Sequence, residues 1–336
     1  MKTIVGKQTM NKKKLGNSDM ELTPIGFGSW AVGGGDWQFS WGPQDDQDSI
    51  AAIHKALDLG INWIDTAAVY GLGHSEEVVA RALKSTSHKP FIFTKCGLVW
   101  DEKREVSNSL KHIRREAEDS LRRLGVDVID LYQMHWPAED GTPLEAYWQT
   151  LLDLKKEGKV RAVGLSNHNA AQLAQAEAIG HVDTLQPPFS AIRRGVATVE
   201  LPWCHANQTG VIVYSPMQSG LLTGSFTAER AQALPKDDWR SRNAEFTGDK
   251  LANNLKLADA FRTIAQQRGT TVAAVAVAWT LAWPGVTGAI VGSRSPAQVD
   301  GWIAAATLEL ANDELAFIAW AIADSGAGSG PTLPGA

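Results

Sequence analysis

The chain has almost no cysteine. Cys96 and Cys204 are the only two in 336 residues, and nothing in their spacing suits a metal. That excludes a disulfide framework and leads us to expect a reducing, cytoplasmic setting. Positive charge is not in excess either: 32 Lys and Arg stand against 37 Asp and Glu, for a net charge of −5. No nucleic-acid surface is therefore expected. The Lys12–Lys14 run is short and near the terminus. The longest apolar run, around Val272–Trp283, falls short of the roughly 20 residues a membrane helix needs. We expect no membrane span, and no apolar signal region opens the chain. There is no Walker motif, and the turn after the first strand, GSWAVGGG, does not match G-x-G-x-x-G. An open doubly wound sheet would call for that glycine pattern.

What is present is the composition of a globular protein, 44% apolar and 21% charged, with thirteen tryptophans. The length allows one large α/β barrel or two medium domains. Gly16-Asn17-Ser18-Asp19 reads as a hairpin turn near the start. Eight short strands follow, ending at Ser29–Trp30, Asp65, Lys95, His135, Asn167, Gln186, Tyr214 and Ser293. A helical segment follows each. Ser75, with Glu76 and Glu77 behind it, reads as the cap of the second, and Ser107 or Asn108 as the start of the third. Strict alternation implies a parallel sheet, and eight units favour closure into a (β/α)8 TIM barrel. The expected domain is a single barrel over residues 12–324, with an N-terminal β-hairpin and flexible tails at 1–11 and 325–336. The surplus length lies in loops 30–44 and 215–250. Both follow strands, which places them on the C-terminal face where such barrels carry active sites.

The organising stretch is INWIDTAAVYG, residues 61–71. An Asp ends a buried strand, and a Tyr follows five residues later in a loop closed by Gly71. Taken alone, Asp65 could equally cap the next helix and Tyr70 fill a loop. The other strand ends weigh against that, because Lys95 and His135 close the next two strands. In a barrel all these ends meet at one rim. A carboxylate, a cation, a phenol and an imidazole gathered there are the parts of a proton-transfer site. Gln133 shares a face with His135 by strand parity. Neither the two cysteines nor the remaining histidines show metal spacing, so no metal is expected.

DTAAVYG, the Lys95 strand, MHWP, VGLSN, Leu185–Gln186, YSPMQSGLLTG and IVGSRSPAQV, in this order, resemble the aldo-keto reductase family over roughly residues 12–310. The resemblance implies an oxidoreductase that reversibly reduces an aldehyde or ketone to an alcohol with NADPH, and with NADH at lower affinity. It places Asp65, Tyr70, Lys95 and His135 in the catalytic tetrad, with Tyr70 as proton donor. Lys95 would lower the Tyr70 pKa, Asp65 would hold Lys95, and His135 would orient the substrate oxygen. Ser166, Asn167 and Gln186 would bind the nicotinamide carboxamide, and Tyr214 would stack on its ring. Ser215, Gln218, Gly220 and Leu221 would lie along the pyrophosphate. Gly292, Ser293 and Arg294 would face the adenosine 2′-phosphate, and Gln298 the adenine. Trp302 stands where the family usually has an adenine-contacting Asn. Trp30, Trp37, Trp100 and Trp136, with Trp41 and Trp239, follow strands and suggest an aromatic-walled pocket for an aromatic, polycyclic or sugar-like carbonyl compound. The alternative is a cofactor-binding, redox-sensing regulatory subunit of the same fold.

Overall fold

A computed structural model describes residues 10–235 and 238–335. Eight parallel strands close a barrel in chain order: β1 Ile25–Gly28, β2 Trp63–Asp65, β3 Phe91–Cys96, β4 Ile129–Met134, β5 Val160–Ser166, β6 Thr184–Gln186, β7 Gly210–Tyr214 and β8 Gly288–Gly292. β8 returns beside β1, pairing Ala289 with Ile25 and Gly292 with Gly28. The expected (β/α)8 barrel is what forms, and closure leaves no unpaired strand edge.

Strand alternation sorts the side chains into two layers. Trp63, Phe93, Leu131, Ala162, Ile212 and Ile290 form one apolar cluster inside the barrel. Leu15, Met20 and Leu22 of the N-terminal hairpin pack onto it and close that end. Two glycines make this packing possible. A Cβ on Gly26 would stand 2.2 Å from the Trp63 indole, and one on Gly16 would stand 2.4 Å from Gly210 N at the start of β7. The alternate residues, among them Ile64, Ile92, Tyr132, Val163 and Val213, face the surrounding helices. Each such side chain contributes roughly 1.5–3 kcal/mol by burial.

The same alternation positions the site. Two residues beyond Trp63 comes Asp65, two beyond Phe93 comes Lys95, two beyond Leu131 comes Gln133, and two beyond Ile212 comes Tyr214. The apolar filling is thus the floor of a polar layer at the C-terminal end.

Three local expectations change. The helix His74–Lys84 follows Gly73, at φ 101°, with no side-chain cap. Ser75 is buried instead, and its hydroxyl meets Ser29 O at 3.0 Å. Glu76 is buried too, accepting from Thr94 Oγ1 and Arg123 Nε, both at 2.6 Å. Both residues face the sheet, so tertiary partners replace the cap. Residues 107 and 108 belong to a second hairpin, Leu98–Trp100 with Val106–Asn108. Asp101 Oδ1 forms its turn by accepting from the backbone of Lys103 and Glu105, and the next helix begins only at Ile113.

The C-terminal end also differs from the free tail expected. The last helix runs Asn312–Ser325, and the chain then lies against the loop after β6. Arg194 N donates to Ser329 O, and Ser329 N to Ile192 O. The buried Arg194 guanidinium donates to Ala327 O, Gly330 O and Ala191 O. Of the other expected tail, residues 1–9 lie outside the described residues. Among the described residues, no helix is long and apolar enough to cross a membrane.

Candidate active site

Lys95 is the centre of the polar layer. It is 1% exposed. Its Nζ donates to Asp65 Oδ1 at 2.6 Å and to Thr66 O at 2.8 Å, and lies 3.4 Å from the Tyr70 hydroxyl. The Tyr70 ring meets the His135 ring edge-on, with centroids 5.7 Å apart. Both rings are half-buried, whereas Asp65 and Lys95 are buried beneath them. Gln186 Nε2 donates to the second Asp65 oxygen at 2.8 Å and stands 3.4 Å from Gln133 Oε1. Gln133 therefore belongs to the cluster, as its strand parity hinted. Thr66 takes part through its backbone, which no sequence signal could announce.

Burial sets the charges here. It pushes the Tyr70 phenol well above its usual value, and the Asp65 charge adds to that. The net direction is upward even with the Lys95 ammonium 3.4 Å from the hydroxyl. Burial, helped by the Lys95 charge, pushes His135 well below the usual imidazole value, so the ring is neutral. For Asp65 and Lys95 burial works against both charges, and their mutual contact works for both.

A chain of amides and hydroxyls continues round the rim. Ser166 Oγ donates to Gln186 O at 2.8 Å. Asn167, held at φ 65°, donates to His135 O and Ser166 Oγ, and its Oδ1 accepts from the Tyr214 hydroxyl at 2.8 Å. Tyr214 is thereby fixed with its ring half-buried. Beyond it the backbone is left-handed at Ser215, Gln218, Ser219 and Gly220. Leu221 is buried in the core. The Gln218 side chain turns to Ser190 and borders a polar cavity of about 470 Å³ with Arg193, Lys250 and the 326–329 segment. At the end of β8, Gly292 is exposed, Ser293 Oγ accepts from the buried Trp302 indole at 2.8 Å, and Gln298 Oε1 accepts from Arg294 N.

The long loops meet over the mouth. Trp30 lies parallel to Tyr70 and to Trp239 with centroids 6.3 Å away, and edge-on to Trp41 at 5.3 Å. Trp37 is 6.3 Å from Tyr70. The structure thus brings Trp30 and Trp37 against Tyr70, with Trp41 and Trp239 packed on Trp30. Trp100 packs against the Arg123 guanidinium, and Trp136, next in the chain to His135, is 40% exposed. Sequence reasoning missed Arg240, whose guanidinium covers the Trp41 ring at 4.9 Å and reaches Ser219 O at 3.5 Å. Among the described residues, no group of three or more His, Cys, Asp or Glu side chains could hold a metal ion.

Residues 24–322 match the aldo/keto reductase family. The chain is 34% identical to the aldo-keto reductase YhdN of Bacillus subtilis, over 87% of each chain. It is 33% identical to the NADH-specific methylglyoxal reductase of Escherichia coli, over 90% of this chain and 95% of the other. A solved structure of a glycerol dehydrogenase from Gluconobacter oxydans superposes with a TM-score of 0.87 and 37% identity, covering 98% of this chain and all of that one. This chain belongs to the aldo/keto reductase family, and it is an oxidoreductase acting on carbonyl and alcohol groups with a nicotinamide cofactor.

Proposed function

We propose that the protein reversibly reduces an aldehyde or ketone to an alcohol, with Tyr70 as proton donor and NADPH preferred over NADH. The observation that carries this reading is the buried Lys95 ammonium within reach of both Asp65 and the Tyr70 hydroxyl, beside a neutral His135. The donor set suits the cofactor: neutral amides and the anchored Tyr214 ring for a neutral aromatic amide, and Arg294 for a phosphate, whereas the Arg240 guanidinium is paired with Asp238. When bound, the nicotinamide supplies or takes up the hydride.

The chain's own residues handle the proton. Tyr70 is protonated at neutral pH, so it is a ready acid towards a carbonyl oxygen. As its proton leaves, negative charge grows on the phenolic oxygen 3.4 Å from Lys95 Nζ, where the ammonium stabilises it. Asp65, Thr66 O and, through Asp65, Gln186 keep that ammonium in place. Neutral His135 can donate one N–H to the same substrate oxygen and fix its direction. In the reverse direction Tyr70 must first lose its proton, so alcohol oxidation is expected to gain with rising pH.

For the substrate, Trp30 and Trp37 beside Tyr70 offer flat apolar walls. These suit a ring face, whether of an aryl group or a sugar. The names of two relatives, a methylglyoxal reductase and a glycerol dehydrogenase, point to small oxygenated compounds, so neutral hydroxylated carbonyls join the aryl aldehydes as first choices. NADPH preference is supported by Arg294, the only Arg or Lys after Arg268, standing between Ser293 and Ser295. The test is kcat/KM across aryl aldehydes, hydroxyketones, sugars and small keto acids with both cofactors. Steady turnover best on a neutral compound is expected. A clear preference for small anionic substrates contradicts the substrate reading, and no turnover on any of them favours a sensing role.

A further inference from the structure

Arg294 is not a free cation. Its Nε donates to Gln44 Oε1 at 2.7 Å, one terminal nitrogen donates to Trp41 O at 3.2 Å, and the other donates to Pro43 O. Gln44 returns the contact, since its Nε2 donates to Arg294 O at 2.8 Å and also meets Ser49 Oγ at 3.0 Å. The turn after β8 is thus clasped to the end of the long loop after β1. Gln44 is the only side chain among these acceptors; the other two are backbone carbonyls.

We infer that Gln44 is a specificity-determining residue for the cofactor, competing with the adenosine 2′-phosphate for the Arg294 guanidinium. This rests on the reading of Arg294 given above. A guanidinium grips a phosphate best through two parallel N–H groups on one edge. Here the Nε edge is closed by a neutral amide. NADPH must displace that amide to use the edge, whereas NADH has no 2′-phosphate and needs neither. Gln44 therefore holds down a preference for NADPH that Arg294 would otherwise make steeper, and lets one site accept both cofactors.

Dissociation constants for NADPH and NADH, read by tryptophan quenching at fixed salt, test this without reference to turnover. Gln44→Ala is expected to tighten NADPH by about three- to tenfold, the worth of one neutral hydrogen bond, and to leave NADH within about twofold. Gln44→Glu, nearly the same shape, sets a carboxylate on the guanidinium and is expected to weaken NADPH by about tenfold or more, again sparing NADH. Both effects should vanish when Arg294→Ala is added. If Gln44→Ala moves both cofactors alike, or neither, Gln44 only packs the loop and the inference is overturned. If the single Arg294→Ala variant affects the two cofactors equally, the reading of Arg294 itself is wrong, and the inference goes with it.

Discussion

The Lys95 ammonium lies 2.6 Å from Asp65 and 3.4 Å from Tyr70, so in the resting site the lysine belongs to the aspartate. Both members of the pair are buried. Removing one partner of such a pair is strongly destabilising, because the other is left as an uncompensated buried charge. Asp65→Asn is expected to cost about 3–5 kcal/mol in urea unfolding and to abolish most turnover. Adding Lys95→Met should recover part of the stability and none of the activity. A single-variant cost below about 1 kcal/mol would mean that Thr66 O alone holds the ammonium.

Glu116 makes stability depend on pH. It is buried on the helix Ile113–Leu124, one carboxylate oxygen accepts from Gly97 N at 2.9 Å, and the other has no partner. Burial raises its pKa from 4.5 to about 7. The folded state therefore holds a proton that the unfolded state gives up near 4.5. The stabilisation is complete below that pH and is lost as the pH rises through about 7, in all roughly 3 kcal/mol. Glu116→Gln keeps an acceptor for Gly97 and removes the titration. Its stability relative to the parent should climb by about that amount between pH 5 and pH 8. Parallel pH profiles for the two proteins would rule the effect out.

The C-terminal segment is expected to contribute to stability. A Cβ on Gly328, at φ 60°, would stand 1.7 Å from Ile192 O, so the backbone must move to admit any side chain. Gly328→Ala should cost about 1–3 kcal/mol, and truncation after Ser325 at least as much, since it takes Ala327 O and Gly330 O from the buried Arg194 guanidinium. Thermal unfolding reads both. An unchanged midpoint on truncation would show that this docking contributes nothing.

The barrel was legible because its signals are local and repeated: a short β-branched run, a polar residue at its end, a helix, eight times over. In a closed barrel the strand ends meet at one rim, and that was enough to gather Asp65, Lys95, His135 and Tyr214 at one end. What stayed hidden depends on contacts far apart in sequence. Nothing near Gln44 announces Arg294, and nothing in the Gly/Pro-rich ending announces the carbonyls that Arg194 gathers. Ser75 and Glu76 have the pattern of a helix start, yet their partners lie on other strands and helices. The hairpin at Leu98–Asn108 was missed because Val106–Asn108 adjoins a helical pattern, and only its pairing with Leu98–Trp100 makes it a strand. The sign of the Tyr70 shift depended on burial, which residue types alone do not specify.

The central claim is that Tyr70 gives the proton, and Tyr70→Phe tests it most directly. Phenylalanine keeps the ring that meets His135, Trp30 and Trp37 and removes only the hydroxyl near Lys95. Reductive kcat with the best aldehyde of the panel should fall by at least about 10²-fold, in line with the loss of a positioned acid, while NADPH still quenches tryptophan fluorescence with an unchanged dissociation constant. Near-normal turnover in that variant would mean that another group delivers the proton and that the Lys95 cluster serves some other end.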